Sequence, residues 1–200
     1  MTTPRLLALA AVLAAAGCSS APSRFYTLDA TATDAGGPAL LRSILVGPVS
    51  VPASVDRPEF VVQVAPNRVE IDEFNRWAGP LGDSIARVVA TNLTALLGTP
   101  DVASGPLASF APDYRVTIDV QRFESRANDA VWLDAVWLVK PTGGGRVRSG
   151  RTTTSEPLAA DDYAAIAGAH SRALGTMSAE IASAIRTADA SGPHSGRTTP

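Results

Sequence analysis

Residues 80–98 read PLGDSIARVVATNLTALLG and residues 113–123 read DYRVTIDVQRF. In the first stretch Leu81, Ile85, Val88, Val89, Leu93, Leu96 and Leu97 recur at the 3.6-residue period of one helical face. Pro80 suits a first helical turn, and Gly98 followed by Pro100 ends it. In the second stretch Tyr114, Val116, Ile118 and Val120 alternate with Arg115, Thr117, Asp119 and Gln121, the period of a half-buried strand. Each element has one apolar side, so each needs another layer to cover it.

The same reading extends toward the C-terminus. Residues 130–139 are apolar on both faces, Trp132 and Trp137 included, which predicts a central strand. Residues 141–145 form a glycine-rich turn, and Arg146 to Ser155 a polar strand near a sheet edge. Asp161 is expected to cap a last helix whose inner face carries Tyr163, Ile166, Ala167, His170, Leu174, Met177, Ile181 and Ile185. Residues 188–200 have little to bury and are expected to be disordered.

Toward the N-terminus, Phe60 to Val64 and Arg68 to Ile71 flank Ala65, Pro66 and Asn67, which predicts a hairpin with Asn67 at positive φ. Ser43 to Val51 reads as a strand with a bulge or an edge position at Gly47-Pro48. Asp29 to Pro38 is loop-like, and Arg24 to Leu28 is a first strand. The order is strands, helix, strands, helix. It predicts an α+β two-layer sandwich, with two amphipathic helices on a mixed, largely antiparallel sheet.

Ahead of this domain, residues 1–17 have the form of a lipoprotein signal peptide. Arg5 gives a positive start, Leu6 to Ala16 is an apolar run of eleven residues, and Ala15, Ala16 and Gly17 precede Cys18. The run is far short of the roughly 20 apolar residues that span a bilayer. Cys18 is the only cysteine, so no intrachain disulfide accounts for it, and acylation does. The competing reading is an ordinary secretory signal followed by an incidental cysteine. The expected organisation is a signal over 1–17, a lipidated tether over 18–23, one domain over 24–187 and a tail over 188–200.

Composition excludes several functions. The 17 basic and 19 acidic residues give a net charge of −2 without a basic stripe, which argues against nucleic-acid binding. His170 and His194 are the only histidines, and an acylated Cys18 is neither nucleophile nor metal ligand. Gly143-Gly144-Gly145 lacks the Lys-Ser/Thr and the helix of a phosphate loop. Asp161 and Asp162 stand at a helix start and read as a cap. No catalytic residues, metal site or cofactor are expected beyond the covalent lipid. A periplasmic hydrolase is disfavoured for want of a nucleophile–base pair.

Charge and aromatic residues concentrate in residues 56–60 and 68–81. Trp77 reads as a lid on the core, with Arg76 paired to a carboxylate such as Glu70 or Glu73. The competing functional reading is a protein contact surface formed by Arg57, Arg68, Glu70, Arg76 and Trp77, since Arg and Trp recur at binding hot spots.

Taken in order, the lipobox-like Cys18 and residues 23–28 (SRFYTL), 46–49 (VGPV), 56–58 (DRP), 67–70 (NRVE), 76–81 (RWAGPL) and 135–137 (AVW) resemble the PqiC-like ABC-type transport auxiliary lipoproteins. The resemblance covers nearly all of the mature chain. The basic segment Arg146 to Arg151 and the polar tail depart from it. It implies a non-enzymatic subunit of an envelope lipid transport system, partnered by an MCE-domain protein and supporting membrane integrity. Ser19 and Ser20 after the cysteine resemble the outer-membrane-sorted class, facing the periplasm. A general structural or assembly lipoprotein is the alternative, and homo-oligomerisation stays open.

Overall fold

The computed structural model describes residues 22–34, 36–105 and 110–191. Eight strands and two helices follow in the order β1 (Arg24–Tyr26), β2 (Ile44–Ser50), β3 (Glu59–Ala65), β4 (Arg68–Trp77), α1 (Leu81–Leu97), β5 (Val102–Ser104), β6 (Tyr114–Arg126), β7 (Ala130–Pro141), β8 (Arg148–Pro157) and α2 (Tyr163–Ser191). The mixed α+β class is as expected, with a single curled sheet. Four of the seven described ladders are parallel, so the antiparallel character belongs to the long pairings β6–β7, β7–β8 and β3–β4.

β6 organises the sheet. One of its edges carries β7, and β8 lies beyond. The other edge is shared end to end: β2 pairs along Tyr114 to Asp119, and β3 pairs at Ser125 and Arg126. The sheet therefore branches, into β2–β5 on one side and β3–β4–β1 on the other. A register shift at Val120/Arg122 resets the inward alternation of β6 from Val116, Ile118 and Val120 to Phe123 and Ser125. Such a bulge adds a residue and bends the strand, and this one lies where the two branches part.

The helices bury the faces their periodicity predicts. Ile85, Val89 and Leu93 of α1 and Leu174, Met177, Ile181 and Ile185 of α2 are fully enclosed. Pro80 is the residue before α1 and not within its first turn. Gly98 closes α1 at φ 64°, its N–H on the Thr94 carbonyl. Arg186 of α2 donates to the Leu96 carbonyl at 3.0 Å, placing a cation at the negative end of α1.

The cap of α2 is Asp162 and not Asp161: its Oδ1 accepts from Ala165 N–H at 2.7 Å. α2 continues to Ser191, past the expected domain end at 187. Ala188 is buried, and Asp189 accepts from Arg42 Nε at 2.7 Å and from the Tyr114 hydroxyl at 3.3 Å, so those residues do have something to hold. Residues 192–200 lie outside the described residues.

Asn67 has the anticipated positive φ, 62°. β2 is bulged between Val46 and Val49, and β5 covers only Ile44 to Val46, which leaves Pro48 at a locally open edge. β7 is central in the ladder, yet only one of its apolar faces meets the helices. Val131, Leu133, Ala135, Trp137 and Val139 are inside, while Leu138 is exposed.

The segment between β1 and β2 straps the two helices together. Asn92 of α1, fully buried, accepts from Thr31 and Ala32 N–H at 3.0 Å and donates to Ser178 of α2 at 3.2 Å. Asp29 N–H reaches Ser171 Oγ at 3.1 Å. A side chain at Gly175 would press on Thr31 Oγ1, so this close crossing favours glycine.

Candidate docking surface

Ahead of Asn75, β4 has a partner on one edge only among the described residues. Arg68 to Asp72 pair with β3, while β1 reaches just Asn75 to Trp77. Residues side by side in a ladder share a face. Val62 and Phe60 point inward, so their partners Glu70 and Asp72 lie on the helix side of this ribbon. Val69 and Ile71, opposite Gln63 and Val61, lie on the outer side. The ribbon runs past the cover of the helices, which leaves both faces in solvent.

Arg68 and Glu70 share the helix-side face. Their side chains are 67% and 68% exposed and their charged groups 3.8 Å apart. A pair so exposed contributes little to stability, so both are free to meet a partner. Arg57 and Arg76 behave otherwise. Both converge on Glu59, at 3.2 and 3.0 Å. Glu59 is held below the usual carboxylate range by its own backbone N–H and by Arg57. The expected pairing of Arg76 with Glu70 or Glu73 is therefore corrected to Glu59, its register partner across β3–β4.

Trp77 does not belong to the surface. It is only 7% exposed and stacks on Phe60 with centroids 4.1 Å apart. Phe60 in turn meets Tyr26 and Tyr163 edge-on. Its place in the expected interface is withdrawn, because alternation along β4 sends Arg76 outward and Trp77 inward. Asp72 seats the adjoining bulge, accepting from Phe74 N–H, Asn75 N–H and the Asn75 amide at 2.8–2.9 Å. Burial alone pushes Asp72 up, but these bonds and one from Tyr163 hold it below the usual range. Burial and Asp72 together push the Tyr163 hydroxyl up to about 12.

The sequence reading also missed an apolar patch on the outer face of the ribbon. Phe25 is 63%, Ile71 44% and Phe74 42% exposed. Ile71, Phe74, Arg57, Arg76 and Ser23 line a cleft of about 450 Å³, and Phe25 is the register partner of Arg76. Farther along the same outer face, Trp132 lies between the guanidinium groups of Arg122 and Arg126, each 4.9 Å from its ring. Asp134 is gripped by Arg151, which pulls its carboxyl down.

One nucleophile–base pair does exist, contrary to the sequence reading. Ser125 Oγ lies 3.0 Å from His170 Nε2. It is sealed, with both residues buried, His170 flat against Phe123, and no acceptor for His170 Nδ1. Burial lowers the imidazole to about 3, so it is too weak a base to draw the proton from the Ser125 hydroxyl at neutral pH. It stands on the apolar side of α2, as expected, and is fully buried. No group of metal-ligating side chains occurs among the described residues.

A larger groove of about 1080 Å³ runs between the strap, the β2 bulge and the first turns of α1, bordered by Asp29, Asp83, Arg87 and Arg115. Cys18 and the signal segment lie outside the described residues. No helix among those described is long and apolar enough to cross a membrane.

Solved structures that resemble the chain include two that match over nearly all of their own length. A crystal structure of an uncharacterized protein is 25% identical, covers 82% of this chain and 99% of its own, and superposes with a TM-score of 0.68. Protein XCC0632 from Xanthomonas campestris is 23% identical, with coverage of 84% and 97% and a TM-score of 0.70. No curated protein matches the sequence. Residues 26–182 match the family described as the ABC-type transport auxiliary lipoprotein component. The match runs from β1 into α2, through strap, ribbon and both helix faces, and the chain belongs to that family of envelope lipoproteins.

Proposed function

We propose that this chain is a non-catalytic subunit of an envelope lipid transport system, acylated at Cys18. It sits on the periplasmic face of the outer membrane and docks an MCE-domain protein. The observation that carries the docking reading is the ribbon of β4, with one unpaired edge and with Arg68 and Glu70 held out in solvent. The sealed Ser125–His170 pair supports a role without catalysis. Family membership supports association with an ABC transport system, and the short apolar run ending at Cys18 supports the anchor.

Charge reversal tests the docking face. Arg68→Glu with Glu70→Arg keeps the residues that pair with β3 and should leave the melting temperature unchanged. Co-purification of the MCE-domain partner from envelope extracts should fall several-fold, because a charge-matched contact becomes repulsive. Unchanged co-purification would move the contact elsewhere. An intact-mass measurement of the membrane-extracted protein decides the anchor, since acylation at Cys18 gives a diacylglyceryl-type mass addition on a chain that begins there.

A further inference from the structure

The exposed apolar residues at the root of the ribbon lie where the chain leaves for Cys18. Phe25 is seven residues from that cysteine and Ser23 is five. At about 3.6 Å per extended residue, Ser23 is held within about 18 Å of the anchor. A domain of this size is about 40 Å across. The tether is thus too short to let the opposite end of the domain reach the bilayer. The side bearing Phe25 is the side the anchor turns toward the membrane.

That side has a surface suited to a bilayer. Phe25, Ile71 and Phe74 each leave a large part of their apolar surface in solvent. Arg57 and Arg76 lie beside them, both paired to Glu59, and Glu73 lines the same cleft, so two carboxylates face two guanidinium groups. Aromatic and aliphatic groups beside long arginine side chains fit the boundary between acyl chains and headgroups, where the apolar stems sink and the charged ends stay wet. The Arg–Glu pairing leaves little net charge there, so contact would rest on apolar burial and not on anionic lipid.

We infer that Phe25, Ile71 and Phe74 form a membrane-seating patch that beds against the bilayer holding the anchor. The patch fixes the tilt of the domain and leaves the opposite, Arg68/Glu70 face of the ribbon free for the protein partner. This inference rests on acylation of Cys18. Seated this way, the domain is a bracket of fixed orientation and not a body swinging on a tether.

The test uses the full acylated chain in vesicles of phosphatidylethanolamine and phosphatidylglycerol. Acylation occupies the one native thiol, so Phe25→Cys, Ile71→Cys or Phe74→Cys supplies a unique site for an environment-sensitive fluorophore. Arg68→Cys serves as the control. Labels on the patch should be quenched by nitroxide-bearing lipid and be several-fold less accessible to iodide than the control, at low and high salt alike. If the protein floats with the vesicles yet patch labels match the control, the patch does not seat and the inference is overturned, while the anchor stands. If shielding appears only when the protein partner is added, the patch is a protein contact and the inference is likewise wrong. If the protein does not float, the anchor reading fails and takes this inference with it.

Discussion

His170 lies flat on Phe123, their rings 3.8 Å apart and 8° from parallel, deep between α2 and β6. The imidazole has no second hydrogen-bond partner and its proton affinity is lowered to about 3, against 6.5 for a free histidine. Between those values the unfolded chain binds a proton that the folded chain refuses, so stability rises with pH through that window. Its contribution is fully present above pH 6.5 and falls as pH drops toward 3, by at most about 1.4 kcal/mol per pH unit. Urea denaturation at pH 5 and pH 7 should show this loss in the parent. His170→Gln should flatten the dependence, whatever its own stability. Equal slopes in the two proteins would mean that the histidine titrates in the fold.

Gly150 of β8 faces Trp137 of β7, and the indole lies across the glycine. The indole N–H donates to Thr152 at 3.1 Å, and Thr152 donates to Glu180 of α2. Adding one methyl, Gly150→Ala, drives a carbon into a ring fixed on its far side. It should destabilise by about 1–3 kcal/mol, the usual cost of overpacking. The tryptophan emission should shift to the red as the indole is displaced. A variant as stable as the parent, with unchanged emission, would show that the ring has room to move.

Gly175 within α2 lies under Thr31 of the strap. In an open helix, Gly→Ala gains roughly 1 kcal/mol. Here the added carbon meets Thr31 Oγ1, so Gly175→Ala should be neutral or destabilising. In a Thr31→Ala background that obstacle is gone, and the same change should stabilise. Thermal melts of the four proteins in this cycle decide it. A Gly175→Ala effect of equal size and sign in both backgrounds would mean the strap does not press on the helix.

Arg76→Glu places a carboxylate against Glu59 and removes its closest charge partner. The pair is partly exposed, so only a small fall in melting temperature is expected. Glu59→Arg combined with Arg76→Glu should recover part of it. Absence of any recovery in the double variant would assign the loss to the packing of the Arg76 stem.

The helical faces were legible because a 3.6-residue period reports burial directly, and Leu93 and Leu174 fall where the period puts them. Strand faces were less so. Val69 and Ile71 alternate like residues of a half-buried strand, but alternation does not reveal whether a core waits on the apolar side. Here the ribbon runs past the helices. Trp132 shows the reverse error: its outward face is covered by two arginines and not by a second layer. β5, three residues of modest propensity, owes its existence to β2 and could not be read locally. The Asp161/Asp162 cap shows the one-residue uncertainty of any helix start with two adjacent candidates. Trp77 and Arg76 were grouped because they adjoin in sequence, although adjacent strand residues face opposite ways.

The strap also sets an order of events. Asp29 is bonded to Ser171, 142 residues later in the chain, and Asn92 holds Thr31 on one side and Ser178 on the other. A chain that emerges N-terminus first has no complete seat for residues 27–34 until α2 has emerged. Its earliest structured segment is finished by its latest. Contacts of such long separation delay closure, so a chain halted before residue 171 lacks the group that receives Asp29. Truncation from the C-terminal end should thus release the segment at the other end of the chain.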